Sequence, residues 1–327
     1  MRERSVDNKE GDRMIISASR RTDIPTYYSD WFFWRIKEAY VLVRNPMNIH
    51  QVSKISLSHD VVDGIVFWTK NPIPMIDRLD EISQYPYYFQ FTLNAYGKDV
   101  EPNVPSKNDL IIPAFQKLSQ KIGKDRVVWR YDPIFLNEKY TMEYHCKYFE
   151  SLASKLHLFT EKCTLSFVDY YRNTERNMKP LNMISISMQQ KLELMEKLSS
   201  IAARYGLPLD TCAEAIDLQI FGIAHSHCID KERLEKIGGY HLDIDKDKNQ
   251  RMECGCISSI DIGIYNTCKN GCLYCYANYS PKTVQNNCGQ HRSSSPLICG
   301  EITESDILKE RTVKSCRNCQ VSLFNDL

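Results

Sequence analysis

The chain has 327 residues, 43% of them hydrophobic, and a formal net charge of +1. That length and apolar content suit one barrel-sized domain. No run of about 18 uncharged apolar residues is present to span a bilayer, and near-neutrality gives no long-range pull toward nucleic acid.

From the N-terminus, MRERSVDNKEGDR is charged with no apolar run behind it, so residues 1–12 read as a disordered tail rather than a signal peptide. Runs rich in β-branched and aromatic residues then read as strands at Met14–Ser19, Tyr40–Arg44, Gly64–Thr69, Tyr88–Leu93, Val127–Tyr131, Cys163–Val168, Pro208–Ala213 and Ser259–Ile264. The amphipathic stretches DWFFWRIKEAY, PMIDRLDEISQ, DLIIPAFQKLSQKIG, TMEYHCKYFESLASKL and SISMQQKLELMEKLSSIAARYG lie between them, the last stopping at Gly206 before Pro208. This alternation predicts an α/β fold, a (βα)8-type, TIM-like barrel, complete or nearly so. It would form a single domain over residues 13–327, with a C-terminal extension from about 280. The long polar connection from Glu214 to Gly255 reads as a functional loop or an excursion without fixed structure.

Several expected strands turn polar at their C-terminal ends, at Ser19 and Arg20, Thr69 and Lys70, Thr92, Arg130 and Asp132, and Glu214. In a parallel barrel these ends share one mouth. A strand leaving the core must become polar, but this many charged side chains point to a polar ligand.

Thirteen cysteines without a secretion signal argue against a disulfide framework and for a reducing, cytoplasmic setting, with thiols free to bind soft metals. Cys146 and Cys163 read as plain core residues. Cys268, Cys272 and Cys275, in NTCKNGCLYCYAN, form a compact C-x3-C-x2-C trio. Structural zinc usually takes two distant C-x2-C pairs. The trio instead fits a [4Fe–4S] cluster with one iron free of protein ligands.

This stretch closely resembles the radical S-adenosylmethionine superfamily, and TCKNGCLYCYAN resembles its spore photoproduct lyase and DNA-repair-photolyase-like branch. VFWTKNPIPMIDRLDEI, FQFTLNAYGKDVEPNVPSKNDLIIPAFQKLSQ and VVWRYDPIF are similar to further stretches of that branch. There the trio follows the first barrel strand. Here it follows the eighth, which one cyclic shift of a closed barrel would explain. With SASRRTDIP near its start, the whole chain also resembles the bacterial domain of unknown function 1848 family.

The resemblance implies a cluster on Cys268, Cys272 and Cys275 with S-adenosylmethionine on its free iron. Reductive cleavage would give a 5′-deoxyadenosyl radical that activates a C–H bond of a small molecule, peptide or nucleobase. Flavodoxin or ferredoxin would donate the electron. Lys70 would pair with the cofactor carboxylate and Thr69 with its ribose, with Ser19, Arg20 and Thr92 nearby in the mouth. No GGE-like run is present for the methionyl amine, and Glu214 is a substitute. Arg130 and Asp132 read either as a clamp or as a structural ion pair. Cys212, Cys228, Cys254 and Cys256 form a candidate second iron–sulfur or zinc set. Against this, CGC before a strand starting at Ser259 belongs about 15–20 Å from Cys212 at normal strand rise. Cys288, Cys299, Cys316 and Cys319 form a rival set. The alternative function is a non-catalytic iron–sulfur or electron-transfer protein.

Overall fold

A computed structural model describes residues 12–212 and 214–318. Its centre is an eight-stranded sheet. In spatial order the strands are Ala224–Ser226, Leu209–Cys212, Cys163–Phe167, Val127–Ile134, Tyr87–Thr92, Gly64–Thr69, Ile15–Ala18 and Ile260–Asp261. Every neighbouring pair is parallel. Within this sheet the earliest strand in sequence, Ile15–Ala18, pairs with the latest, Ile260–Asp261.

The expected closed barrel is not formed. Among the described residues, the edge strands Ala224–Ser226 and Ile260–Asp261 do not pair with each other. They have three and two residues, too few to carry a ladder across the gap. The expected strand Tyr40–Arg44 also leaves this sheet. It is extended as Tyr40–Asn45, but reverses at once into antiparallel Asn48–Ser56. A parallel neighbour would need a crossover of a dozen or more residues, and the chain offers a two-residue turn instead. Ile307–Glu310 adds a third strand to that small sheet. PMIDRLDEISQ, expected as one helix, forms two separate turns at Ile73–Ile76 and Leu79–Ile82.

The sheet is covered on both faces, as parallel sheets are. On one face Phe67, Phe89, Phe91, Trp129 and Leu165 pack beneath helices. The helices present apolar residues at three- and four-residue spacing: Ala114 and Leu118, with Phe115 beside them, on Ile112–Ile122, and Phe149, Leu152 and Leu156 on Met142–Leu156. Thr141 caps the second through the Tyr144 amide, and a Ser187–Gln190 capping box starts Met188–Arg204. Trp129 stacks on Phe149 with ring centres 5.1 Å apart.

The other face is covered by part of the Glu214–Gly255 connection, which is neither loose nor purely polar. Ile15, Val66, Tyr88 and Val128 meet Ile229, Leu234, Leu242 and Ile244 from it. Its helix Lys231–Gly238 is capped by Asp230. Leu234 comes so close to Gly64 that a Cβ there would lie 2.6 Å from Leu234 Cδ2. Tyr88 Oη and Gln90 Nε2 donate to Cys228 O at 2.7 and 2.8 Å. An excursion this well bonded is a structural layer. Polarity alone made it look like a loop.

Candidate functional site

Three segments at the C-terminal ends of the strands meet around Cys268–Cys275. Ile260–Asp261 leads into the cysteine hairpin, closed by Asn266 N donating to Ala277 O at 2.9 Å and Asn278 Nδ2 to Cys268 O at 2.8 Å. Gly271 turns the loop with φ of 68°, a conformation that favours glycine. The turn presses on the EPNVP segment, where Asn103 N donates to Asn270 O at 3.3 Å and Asn103 Nδ2 to Lys269 O at 2.7 Å. Leu273 N donates to Val100 O at 3.0 Å. From the turn after the first strand, Tyr27 Oη donates to Asn270 Oδ1 at 2.8 Å and Tyr28 Oη to Thr267 O at 2.6 Å.

The three thiols thus sit on a rigidly held loop. Burial raises all three, Cys272 to about 12, while Lys70 opposes the rise at Cys272 and Cys275. Lys70 lies near Cys272 and Cys275, and both it and Thr69 are already engaged. Lys70 Nζ pairs with Glu101 Oε1 at 2.8 Å, and Lys107 Nζ pairs with Glu101 Oε2 at 2.5 Å. Tyr274 Oη donates to Glu101 as well. Burial raises the Glu101 carboxyl, but the two lysines outweigh it and hold the group below its ordinary range. Desolvation lowers both lysines. Glu101 reverses this at Lys70, whereas at Lys107 desolvation wins. Thr69 Oγ1 donates to Asp23 Oδ1 at 2.8 Å.

Asp23 and Asp261 are two further anchors. Asp23 accepts from the Lys70 amide at 2.9 Å, the Thr26 amide at 3.0 Å and Asn270 Nδ2 at 3.1 Å. It therefore ties the first-strand turn, the T-K segment and the cysteine loop together. Asp261 accepts from Ser17 and Ser19 hydroxyls at 2.6 Å each and from the Arg20 amide at 2.8 Å. Ser19 thus joins the first strand to the last. Arg20 lies over Trp68 at 5.8 Å, and its carbonyl accepts from Tyr276 Oη. Thr92 is half-buried, opposite Arg130 in the ladder.

Arg130 and Asp132 form a buried ion pair, with Arg130 Nε donating to Asp132 Oδ2 at 3.0 Å. Arg130 Nη1 also donates to Cys228 Sγ at 3.0 Å. Glu214 Oε1 accepts from the Phe167 amide at 2.7 Å, and burial raises its carboxyl. It caps a strand end away from the trio's own contacts.

Cys212, Cys228, Cys254 and Cys256 come together. Cys212 and Cys228 sulfurs are 2.7 Å apart, Cys228 engages Cys256, and Cys256 engages Cys254. The expected separation of about 15–20 Å at strand rise does not arise, because the last strand is only two residues long, Ile260–Asp261, and CGC folds back toward Ile229. The rival set is divided. Cys288 Sγ donates to Thr267 O at 3.3 Å, whereas Cys316 Sγ donates to Asp63 Oδ2 at 3.0 Å. Cys319 lies outside the described residues. Cys163 is a buried core residue and Cys146 packs half-buried against the core, as expected.

Sequence reading passed over Glu101, Asp261 and Asn270 as site residues. The signal for Glu101 was an acidic residue inside EPNVP, and for Asp261 a lone carboxylate in the apolar run SIDIGI. A cleft of about 420 Å³ lies against Phe167, Tyr170, Met178 and Lys191, and one of about 870 Å³ borders the site at Asp261, with Arg21 and Arg44 also lining it. Among the described residues, no group of three or more His, Cys, Asp and Glu side chains is placed to hold a metal ion. No helix among them is long and apolar enough to cross a membrane.

Comparison with curated proteins gave no match. One solved structure, described as a "putative alpha-L-fucosidase" from Bacteroides thetaiotaomicron, matches at 11% identity with a TM-score of 0.25, covering 73% of this chain and 87% of that one. A likeness at that level carries no argument. Residues 15–277 match the family described as "Domain of unknown function (DUF1848)". The chain belongs to that family.

Proposed function

We propose that Cys268, Cys272 and Cys275 hold a [4Fe–4S] cluster whose free iron takes S-adenosylmethionine, making the protein a radical enzyme. The observation that carries this reading is one rigid hairpin presenting three soft donors beside a half-buried lysine at the C-terminal ends of parallel strands. The donor set suits the group chemically. A cluster spreads its thiolates over separate irons, so the spacing needed for a single ion is not required. When bound, the pair would supply one-electron cleavage of the sulfonium and a carbon radical for hydrogen abstraction.

The protein's own residues would position and shield. The Lys70 ammonium faces the thiols and offsets the negative charge of a thiolate set, while Glu101 and Lys107 hold it in place. Tyr274, stacked at 5.4 Å from Lys70 Nζ, covers it from water. Asp23 keeps the T-K segment and the cysteine loop in register. The substrate class is a small molecule, peptide or nucleobase, with flavodoxin or ferredoxin as electron donor.

A second reading is a non-catalytic iron–sulfur protein. It is favoured by the engagement of Lys70 with Glu101 and Ser19 with Asp261, which commits two groups expected to face the cofactor. Anaerobic reconstitution with iron and sulfide, followed by dithionite and S-adenosylmethionine, separates the two. The radical enzyme forms 5′-deoxyadenosine, and Cys272→Ala does not. A reconstituted cluster with no 5′-deoxyadenosine supports the second reading.

A further inference from the structure

Cys212, Cys228, Cys254 and Cys256 arrive from three separate stretches of chain and meet against the covered face of the sheet, beside Tyr88, Gln90 and Arg130. Cys212 ends the strand Leu209–Cys212, Cys228 follows the edge strand Ala224–Ser226, and Cys254 and Cys256 precede the opposite edge Ile260–Asp261. No ladder joins those edges among the described residues. A hydrogen bond from Ile257 N to Ile229 O, 3.2 Å long, crosses near the thiols.

Cysteine is a common core residue, and one buried thiol would need no explanation. Four in contact, with donors aimed at their sulfurs, are a different case. Arg130 Nη1 reaches Cys228 Sγ at 3.0 Å, and the Ile229 amide reaches Cys256 Sγ at 3.3 Å. The Arg20 guanidinium also interacts electrostatically with Cys256 and Cys228. Cys228, Cys254 and Cys256 are buried. Gly255 leaves room for the His227 ring, which a Cβ would meet at 1.8 Å, so CGC lies tight against the chain that carries Cys228. Donors around sulfur favour thiolate, and four thiolates on a divalent ion carry a net charge of about −2, which the two guanidiniums face.

We infer that these four cysteines form a second metal site, a tetrathiolate that takes a thiophilic centre, zinc or an iron–sulfur cluster, and ties the segment after one edge strand to the segment before the other. Two sulfurs bonded to one tetrahedral ion at about 2.3 Å stand about 3.7 Å apart. Cys212 and Cys228, at 2.7 Å, must therefore part by about 1 Å to admit the ion. With all four positions filled by protein, the centre would have no open coordination site, as structural metals do not. Its binding free energy would add to folding. The inference is independent of the hairpin cluster.

The test uses the full chain with Cys268, Cys272 and Cys275 all replaced by alanine, purified anaerobically, with zinc, iron and sulfide measured. About one zinc per chain without sulfide, or iron with matching sulfide, is expected, and the two results distinguish the centre. Adding Cys228→Ser and Cys256→Ser removes the metal. If that chain fails to fold, iodoacetamide labelling of the wild type decides: all four cysteines are protected together and become reactive together once a chelator is added. A folded hairpin variant without metal, labelling indifferent to chelator, or a Cys212–Cys228 disulfide in the anaerobic protein overturns the inference. Failure of the hairpin reading alone would abolish 5′-deoxyadenosine and leave this metal in place.

Discussion

Replacing Glu101 by glutamine probes the scaffold of the hairpin most directly. The carboxylate is 1% exposed and holds two ammonium groups at 2.8 and 2.5 Å. Glutamine keeps the shape and removes the charge, leaving Lys70 and Lys107 facing each other in a site only 13% and 19% exposed at their side chains. Removing one partner from a buried ion pair costs about 3–5 kcal/mol. Unfolding entropy of about 2.1 cal/mol/K per residue gives about 0.69 kcal/mol/K for the 327-residue chain, so Tm falls by about 4–7 °C. Calorimetry on the metal-free protein measures it directly. Glu101→Gln with Lys107→Met should recover part of the loss, because one buried ammonium is then gone, and the double-mutant cycle gives the coupling. The sign with pH follows from the depressed folded carboxyl. Its contribution is present above the ordinary glutamate value of about 4.3 and is lost as pH falls through the lower folded one. A Tm for Glu101→Gln within about 1 °C of wild type would refute the view that this triad of charges holds the site together.

Asp23→Asn exchanges one acceptor oxygen for a donor amide amid the donors Thr69, Thr26 N, Lys70 N and Asn270. A loss of about 2–3 kcal/mol in urea unfolding is expected, with faster proteolysis of the cysteine loop. Gly263→Ala would place a Cβ 2.0 Å from Ser19 Oγ, within the Asp261 network, and should cost more than Gly255→Ala, whose Cβ meets only the exposed His227 ring. Equal Tm values for the two would contradict that ranking. Burial lowers His145 to about 4, with Tyr131 Oη and Phe135 O at its ring nitrogens. The neutral ring is therefore favoured in the fold. Its contribution is present above the unfolded value of about 6.5 and about 3 kcal/mol is lost as pH falls toward 4. Urea midpoints at pH 7 and 4.5 should converge for His145→Gln relative to wild type.

Periodicity and spacing are local properties, and they were legible along the chain. Seven of the eight expected strands lie in the parallel sheet, because strands buried on both faces carry continuous apolar runs such as GIVFWT and YFQFTL. The compact cysteine trio needed only its own spacing to stand out. What depends on partners far along the chain was decided in three dimensions. Tyr40–Asn45 is as strand-like as its neighbours, but the two-residue reversal after it sent it to another sheet. The three residues of Ala224–Ser226 carry too little pattern to be seen, yet they make one edge of the main sheet. Among the described residues that edge stays unpaired with Ile260–Asp261, so the sheet does not close into the expected barrel. Glu101 owes its role to Lys70 and Lys107, and Asp261 to Ser17 and Ser19 more than 240 positions away. A carboxylate's value is set by which charges and hydroxyls surround it once water has been excluded, and only the folded packing brings those partners together.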